Sequence, residues 1–279
     1  MLVAGATSMV AHYLIPRLRQ AGHEVHAVSR RPPASSPPAG VVWHVADVAR
    51  GVPDAPAGCV LIHLAPLWLA PPLIRASLGR GLRRVIAFGS TSRFTRHDSP
   101  DARERETAAR LADAEAEVER DCQASGVPWT IFRPTLVYGG GLDRNVSTIA
   151  SFIRRFGFAP VVDGGRARRQ PVHADDLAAA SLAVLERAPR ASRAYDLSGR
   201  TLSYRDMVRA VFEGLGRRPV LVNVPATVAR FGLPLVRALP GFRHLGSGMV
   251  DRTTRDLCFD HADAARDLGF APRPFVFPG

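Results

Sequence analysis

The chain has 279 residues and 46% of them are hydrophobic, enough to bury the core of one large domain or of a core with a small lobe. No stretch approaches the apolar length of a membrane helix, and the first residues lack the layout of a signal peptide. The three cysteines, Cys59, Cys122 and Cys258, are far apart and show no metal-ligand spacing. We therefore expect a globular cytoplasmic protein with free thiols, no bound metal and no transmembrane segment.

The formal net charge of +12 is carried by arginine, because the 37 basic residues include no lysine. The arginines are scattered, with only short pairs, and the chain is also rich in Ala and Pro, which indicates a compositional bias. A nucleic-acid or membrane-surface binder is therefore the weakest of the functions considered, and we expect no nucleic-acid partner.

Residues 1–31 predict a strand, a turn, a helix and a second strand. The first four residues are a short apolar run, typical of a strand buried on both faces, and Gly5 begins a turn of small residues. Apolar residues at three- and four-residue spacing then predict a helix that stops at Gly22, before a strand over residues 25–28. Such a unit belongs to a parallel sheet, and the helix N-terminus favours a pyrophosphate.

Only the first glycine of the dinucleotide-binding fingerprint is present, because Ser8 and Ala11 occupy the other two positions. A tight turn without a ligand is the alternative interpretation. Arg30 and Arg31 end the second strand, where NAD-binding folds usually have an acidic residue for the ribose. Arginine there suits a 2′-phosphate, so NADP(H) is the preferred cofactor and NAD(H) the alternative.

Further apolar runs predict strands over residues 41–45, 59–65, 84–89 and 195–197, a strand with its exit over residues 128–139, and a short extended piece at 170–173. Helices are predicted over residues 73–82, 108–124, 149–156, 174–187, 203–215 and 260–269. The polar stretch 93–106 is expected to be mobile. Together these elements predict a doubly wound parallel α/β sheet, a Rossmann core in residues 1–165. An interleaved C-terminal part with a small substrate-covering lobe follows in residues 166–279.

Ligands of such folds bind at the carboxyl ends of the strands, so the cofactor candidates are taken from these positions. Asp47, after the third strand, can accept a hydrogen bond from an adenine amine or belong to a surface turn. Ala65 and Pro66, after the fourth strand, have no side chain bulky enough to block a nucleotide. The candidates are Gly5, Thr7, Ser8, Met9, Val10, Arg30, Asp47, Ala65, Pro66, Ser90 and Pro134.

An apolar segment with single arginines occupies residues 225–249. We expect it to cover a substrate pocket. Contact with a membrane or with a partner is the alternative.

In their order along the chain, these motifs resemble those of the extended and atypical short-chain dehydrogenase/reductases, the NAD(P)-dependent epimerase/dehydratase group that includes sugar-nucleotide epimerases. The resemblance spans nearly the whole chain. The segments that carry it are residues 5–7, 63–66, 88–92, 133–139, 172–177 and 264–272.

The family uses a Ser or Thr at the end of the fifth strand and a Tyr-x-x-x-Lys pair on the next helix. Residues four apart share one helix face, so the lysine lowers the tyrosine pKa and holds the nicotinamide ribose. Thr91 matches the hydroxyl. The pair is missing, since there is no lysine, and Thr107 and Leu111 stand at the positions that we align with it.

Other proton donors must then be considered. Ser92, His97 and Tyr138 join Thr91 as catalytic candidates. His97 is also interpretable as a surface residue of a polar loop, and Tyr138 as a residue packed near the cofactor.

The resemblance implies an NAD(P)(H)-dependent oxidoreductase or epimerase-like enzyme, acting on a small carbonyl or hydroxyl substrate without the usual pair. The alternative is a non-redox NADP(H)-binding scaffold or sensor. A small-molecule substrate is the expected partner, with a homodimer or an assembly partner also considered.

Overall fold

The structure is a computed structural model that describes residues 1–32, 36–50, 56–143, 145–187, 192–229, 231 and 253–277. Its strands are β1 (Leu2–Ala4), β2 (Val25–Ser29), β3 (Val41–Val45), β4 (Val60–His63), β5 (Arg84–Phe88), β6 (Trp129–Pro134), β7 (Leu136–Tyr138), β8 (Ala159–Val162), β9 (Arg168–Arg169), β10 (Pro171–His173), β11 (Arg193–Leu197), β12 (Leu202–Ser203) and β13 (Leu221–Val224). Seven of them form one parallel sheet in the order β11-β6-β5-β4-β1-β2-β3.

Helices cover both faces of this sheet. They are α1 (Met9–Gln20), α2 (Ala70–Leu78), α3 (Ser92–Thr95), α4 (Ala102–Ala124), α5 (Val146–Phe156), α6 (Ala174–Arg187), α7 (Tyr204–Gly214) and α8 (Ala262–Leu268). In the described part of the chain no helix is both long and apolar enough to cross a membrane.

Alternate residues of the central strands face the two helical layers. Val3 and Ile62 pack in the cluster with α1 and α6, whereas Leu2 and Leu61 pack in the cluster with α2 and α4. Because successive side chains of a strand point to opposite faces, a strand covered on both sides must be apolar throughout. The doubly wound parallel sheet predicted from the sequence is confirmed.

A third cluster forms the core of the small lobe. It joins Val146 and Ile153 of α5 and Val161 of β8 to Val208 and Phe212 of α7. Strand β13 completes the lobe by pairing in parallel with β8. The lobe thus takes residues from both sides of the predicted boundary at residue 165, and that boundary stays a prediction.

The polar stretch 93–106, for which mobility stays a prediction, includes residues 93–95 of α3 and the first five residues of α4. Asp101 caps α4, since its carboxylate accepts a hydrogen bond from the Arg103 N–H at 3.0 Å. Glu104 and Ala108 are buried, so this face of the early helix packs against the protein despite its polar composition.

The segment 128–139, predicted as a strand and its exit, contains two strands, because the exit forms β7. Between β6 and β7, the Thr135 N–H donates to the Leu197 carbonyl at 3.1 Å, and the Thr135 hydroxyl donates to the Gln170 carbonyl. β7 then leaves the main sheet and pairs with β10. Of the apolar segment 225–249, only residues 225–229 and 231 fall within the described residues.

Candidate dinucleotide and substrate site

The carboxyl ends of the seven parallel strands meet at one edge of the sheet. The chain leaves β1 toward β2 on one side and returns through β4 on the other, so β1 lies at the topological switch point. Along this edge, predicted site residues follow the strands in the order Asp47, Arg30, Gly5, Ala65 and Thr91. Residues that are far apart in the sequence therefore line one crevice.

The turn after β1 lies directly against the exit of β4. Gly5 has φ +83°, and a Cβ atom there would lie 2.6 Å from the Ala65 nitrogen. The Gly5 and Ala6 N–H groups both donate to the Val28 carbonyl at 3.0 Å. Only glycine fits this close approach, because any side chain would meet backbone atoms.

The N-terminus of α1 opens toward the same crevice. Ser8 is the N-cap, and its Oγ accepts a hydrogen bond from the Ala11 N–H at 3.3 Å. Among the described residues the N–H groups of Met9 and Val10 meet no acceptor, and Thr7 is exposed beside them. Unpaired N–H groups and the helix dipole fit a pyrophosphate, and the Ser8 hydroxyl keeps its own proton for donation.

Two exposed arginines, Arg30 and Arg31, directly follow β2. In the described ranges no ion pair or side-chain hydrogen bond involves the guanidinium of Arg30 or Arg31, so both remain available to an anion. Asp47, after β3, accepts a hydrogen bond from the Ala49 N–H at 3.0 Å and lies 3.9 Å from the Arg50 guanidinium. Its carboxylate stabilises its own turn, and a contact with adenine stays a prediction.

A cavity of about 860 Å³ lies where the crevice meets the small lobe. Its wall is rich in hydroxyl groups and also includes the side chains of Arg103, Arg169 and Gln170. The hydroxyl-bearing residues include Ser90, Thr91, Ser92, Thr95, Thr107 and Thr135. Met9 belongs to the same wall and is the first residue of α1, so the cavity adjoins the turn after β1.

Thr91 is buried at the floor of this cavity. Its hydroxyl donates to the Pro134 carbonyl at 3.2 Å, and its N–H donates to the same oxygen at 3.2 Å. These bonds join the end of β5 to the end of β6 and hold the threonine oxygen in place. That oxygen keeps acceptor capacity for a group in the cavity.

The two positions aligned with the Tyr-x-x-x-Lys pair have different environments. Thr107 faces the cavity, and its hydroxyl donates to the Arg103 carbonyl at 2.8 Å. Leu111, four residues later, is buried in the core cluster between the sheet and α4. This helix face therefore brings neither a phenol nor an ammonium group to the cavity.

Glu104 lines the cavity and was not among the candidates taken from the sequence. Its side chain is buried, and its Oε2 accepts a hydrogen bond from the Ser99 hydroxyl at 2.7 Å. The pattern Asp101-x-x-Glu104 is that of a helix capping box, a sequence signal that would have placed Glu104 in the first turn of α4.

Two catalytic candidates lie outside this cavity wall. His97 is exposed, with its Nδ1 2.7 Å from the Phe94 carbonyl oxygen. Tyr138 is buried edge-on against His173 and Phe275, with ring centres 5.0 and 4.8 Å apart, and burial raises the pKa of its phenol. Neither side chain lines the cavity, and a catalytic role for either stays a prediction.

The profile of the NAD dependent epimerase/dehydratase family matches residues 1–51 and 40–197. The chain belongs to this family. The resemblance found in the sequence motifs is thereby confirmed, and the turn after β1 and the end of β5 lie within the matched residues.

Two curated proteins are similar in sequence to part of this chain. The uncharacterized protein y4nG of Sinorhizobium fredii is 25% identical over 210 residues, which cover 72% of this chain and 52% of that protein. The mitochondrial NADH dehydrogenase [ubiquinone] 1 alpha subcomplex subunit 9 of Arabidopsis thaliana is 28% identical over 103 residues, 36% of this chain and 25% of the subunit. The chain thus spans about half the length of the first relative and a quarter of the second.

Solved structures of the same fold include two nucleotide-sugar enzymes. The UDP-glucuronic acid 4-epimerase of Bacillus cereus, in complex with NAD, has a TM-score of 0.72 at 13% identity, covering 98% of this chain and 91% of that one. The UDP-glucose 4-epimerase of Thermotoga maritima, with UDP-glucose, has a TM-score of 0.68 at 16% identity, covering 98% and 93%. These similarities show the shared fold.

Proposed function

We propose that the protein is an NAD(P)(H)-dependent oxidoreductase or epimerase-like enzyme acting on a small carbonyl or hydroxyl substrate. The observation that carries this proposal is the position of Met9, which begins α1 beside the turn after β1 and also lines the cavity. A dinucleotide seated on that turn and extending along the edge of the sheet would reach the cavity floor at Thr91.

The crevice fits a dinucleotide through features of the chain itself. Gly5 lets the turn after β1 lie against the Ala65 backbone, and among the described residues the N–H groups of Met9 and Val10 in the first turn of α1 meet no acceptor. When bound, the nicotinamide supplies hydride transfer to or from the substrate. The protein orients the reactants and excludes water from the buried end of β5.

NADP(H) is the proposed preference, because Arg30 and Arg31 are exposed at the end of β2, where a 2′-phosphate would lie. NAD(H) is the alternative, and the Bacillus cereus relative of the same fold is complexed with NAD. Selectivity for the 2′-phosphate therefore needs a direct measurement.

Proton transfer would depend on Thr91 and Glu104 in place of the missing pair. Thr91 provides a fixed hydroxyl on the cavity floor, and Glu104 provides a buried carboxyl group on its wall. A hydroxyl can pass a proton between a substrate oxygen and a carboxylate, either directly or through one water. A Glu104→Gln variant should lose turnover while still binding the dinucleotide, whereas Glu106→Gln, outside the cavity wall, should retain both.

A polyhydroxylated substrate suits this cavity. Its wall presents many short hydroxyl side chains, together with the exposed Arg103, and such groups bind the hydroxyls and anionic groups of a sugar derivative. The Thermotoga maritima relative holds UDP-glucose in the same fold.

The first test is calorimetric titration of the full chain with NADPH and with NADH, followed by NADPH oxidation across a panel of sugar-derived and simple carbonyl compounds. Binding with turnover of at least one compound supports the proposal. Tight binding without turnover of any compound would overturn the enzyme assignment, and absence of binding would overturn the cofactor assignment as well.

The second candidate is a non-redox NADP(H)-binding scaffold. The observation that favours it is Leu111, which is buried in the core at the position where the family has its lysine. The Arabidopsis relative is itself a subunit of a larger assembly. A scaffold should co-purify with a partner from its native source and should bind the dinucleotide without turnover.

We also propose a cytoplasmic location and a homodimer or another assembly partner. The exposed free thiol of Cys258 supports the location, because exposed free thiols persist in reducing compartments.

A further inference from the structure

The positive charge of the chain is unevenly distributed. Residues 144–162 and 214–250 contain eight arginines and no acidic residue, so these two stretches carry eight of the twelve net positive charges. The rest of the chain mixes arginine with all 25 acidic residues. The overall composition, from which we inferred a compositional bias, does not show that positive charge is concentrated in these two stretches.

The fold brings the described parts of the two stretches together on the small lobe. β13 pairs with β8, with Val222 opposite Pro160. The Arg217 guanidinium donates to the carbonyls of Ile153 and Arg154 at 2.8 and 3.2 Å, which ties the two stretches at the end of α5. The charges of the described arginines in the two stretches, residues 154, 155, 217 and 218, are therefore brought together on this lobe.

Exposed apolar side chains lie on the same surface. Val220 and Val222 are 49% and 43% exposed and lie two residues apart, on one face of the chain entering β13. Arg218, two residues before Val220, is exposed, and so are Arg154 and Arg155 at the end of α5, which Arg217 ties to this stretch. We call Arg154, Arg155, Arg218, Val220 and Val222 the basic lobe surface.

We propose that the basic lobe surface docks the protein on an anionic lipid bilayer. Arginines attract the acidic headgroups, and exposed aliphatic side chains enter the boundary between headgroups and acyl chains. Val228 and Phe231, which follow β13 in the chain, are also exposed apolar side chains, at 57% and 85%. A nucleic acid would use the arginines but would gain little from aliphatic side chains, so the combination favours a bilayer.

The test is co-sedimentation of the full chain with vesicles of phosphatidylcholine, with and without about 30 mol % phosphatidylglycerol, at about 0.1 and 0.5 M NaCl. Binding should require the anionic lipid and weaken at high salt. The triple variant Arg154→Gln/Arg155→Gln/Arg218→Gln should bind roughly tenfold or more weakly. Its matched control, Arg83→Gln/Arg120→Gln/Arg187→Gln, removes three exposed arginines elsewhere and should bind like the wild type.

The apolar contribution has its own pair of variants. Val220→Thr/Val222→Thr keeps β-branched side chains but replaces methyl groups with hydroxyls, and it should weaken vesicle binding several-fold. Val42→Thr/Val45→Thr makes the same change at the exposed valines of β3 and should have no effect. Thermal unfolding of each variant checks that the fold is intact.

Three outcomes would overturn the proposal. The first is equal binding to neutral and anionic vesicles, or to neither. The second is salt-sensitive binding of a duplex oligonucleotide that needs the arginines and ignores the valine changes, which would assign the surface to nucleic acid. The third is self-association, measured by sedimentation velocity and lost in Val220→Thr/Val222→Thr, without vesicle binding, which would assign it to a second copy of the chain.

Discussion

Glu115 of α4 and Arg133 of β6 are joined by two hydrogen bonds to a single carboxylate oxygen. Arg133 Nε and Nη2 donate to Glu115 Oε2 at 2.8 and 2.6 Å, and Arg93 of α3 donates to the same oxygen. Only 4% of the Glu115 side chain is exposed. This carboxylate therefore connects three elements beneath the end of β5, where Thr91 begins the cavity floor.

Replacing Glu115 with alanine should lower the free energy of unfolding by about 3–5 kcal/mol, because two partly buried guanidinium groups would lose its carboxylate and Arg133 would keep only the longer contact with Asp196, at 3.7 Å, among the described residues. Glu117→Ala is the matched control on the same helix. Its partner Arg75 is half exposed, so the loss should be below about 1 kcal/mol. Urea unfolding measures both, and equal effects would contradict a structural role for the buried carboxylate.

Gly5→Ala should abolish dinucleotide binding and lower the free energy of unfolding by about 2–4 kcal/mol, because the new methyl group meets the Ala65 backbone at positive φ. Gly22→Ala is the control that separates the cost of a positive φ from the cost of the steric clash. Gly22 has φ +81° with nothing within 4 Å of the added Cβ, so only the backbone cost of about 1 kcal/mol should appear. Dinucleotide binding should be normal in that control.

Arg30→Ala should weaken NADPH binding by roughly ten- to a hundredfold and leave NADH binding nearly unchanged, since only NADPH has the 2′-phosphate that the guanidinium would contact. Calorimetric titration of both nucleotides measures the selectivity. Arg83→Ala is the control, because Arg83 is exposed just before β5, at the amino ends of the strands and away from the proposed site. An equal loss for both nucleotides would refute the phosphate contact.

Thr91→Val keeps the shape of the side chain and removes its hydroxyl. It should lower kcat by about 10²-fold with little change in dinucleotide affinity, because the hydroxyl is proposed to act on the substrate during proton transfer. Thr91→Ser should restore most of the activity. Thr95→Val, at another hydroxyl of the cavity wall, should change KM more than kcat. Normal kcat in Thr91→Val would exclude the hydroxyl from the chemistry.

The buried His63 should make the stability of the fold depend on pH. Burial lowers the pKa of its imidazole to about 4, its Nε2 lies 3.1 Å from the Pro66 carbonyl oxygen, and within the described residues its Nδ1 has no partner. The unfolded chain takes up a proton near the ordinary pKa of 6.5, and the folded protein only near 4. Acid therefore favours unfolding, and this group should cost about 3 kcal/mol of stability as the pH falls through that window.

Urea unfolding at about pH 7 and pH 5 measures this slope, and His63→Gln should reduce it. His97→Gln, at an exposed site, is the matched control and should retain the slope of the wild type. An unchanged slope in His63→Gln would show that other groups dominate the acid response.

Local patterns in the sequence determined most of the fold. Apolar runs predicted the strands of the parallel sheet, and three- and four-residue periodicity with glycine or serine at the ends predicted most of the helices, because these signals depend on near neighbours in the chain. The small-residue turn at Gly5 and the absence of lysine were equally visible. Together they indicated the family and the departure from its catalytic pair.

Only the tertiary structure decided which side chains share a site. Contacts between elements that are distant in the sequence bury Glu104 and give Thr107 and Leu111 opposite environments. Such contacts also separate β6 from β7 at Thr135. The same holds for the basic lobe surface, where β8 and β13 pair across some sixty residues of sequence. The physical reason is that burial and charge density depend on distances in space, which residue spacing along the chain does not determine.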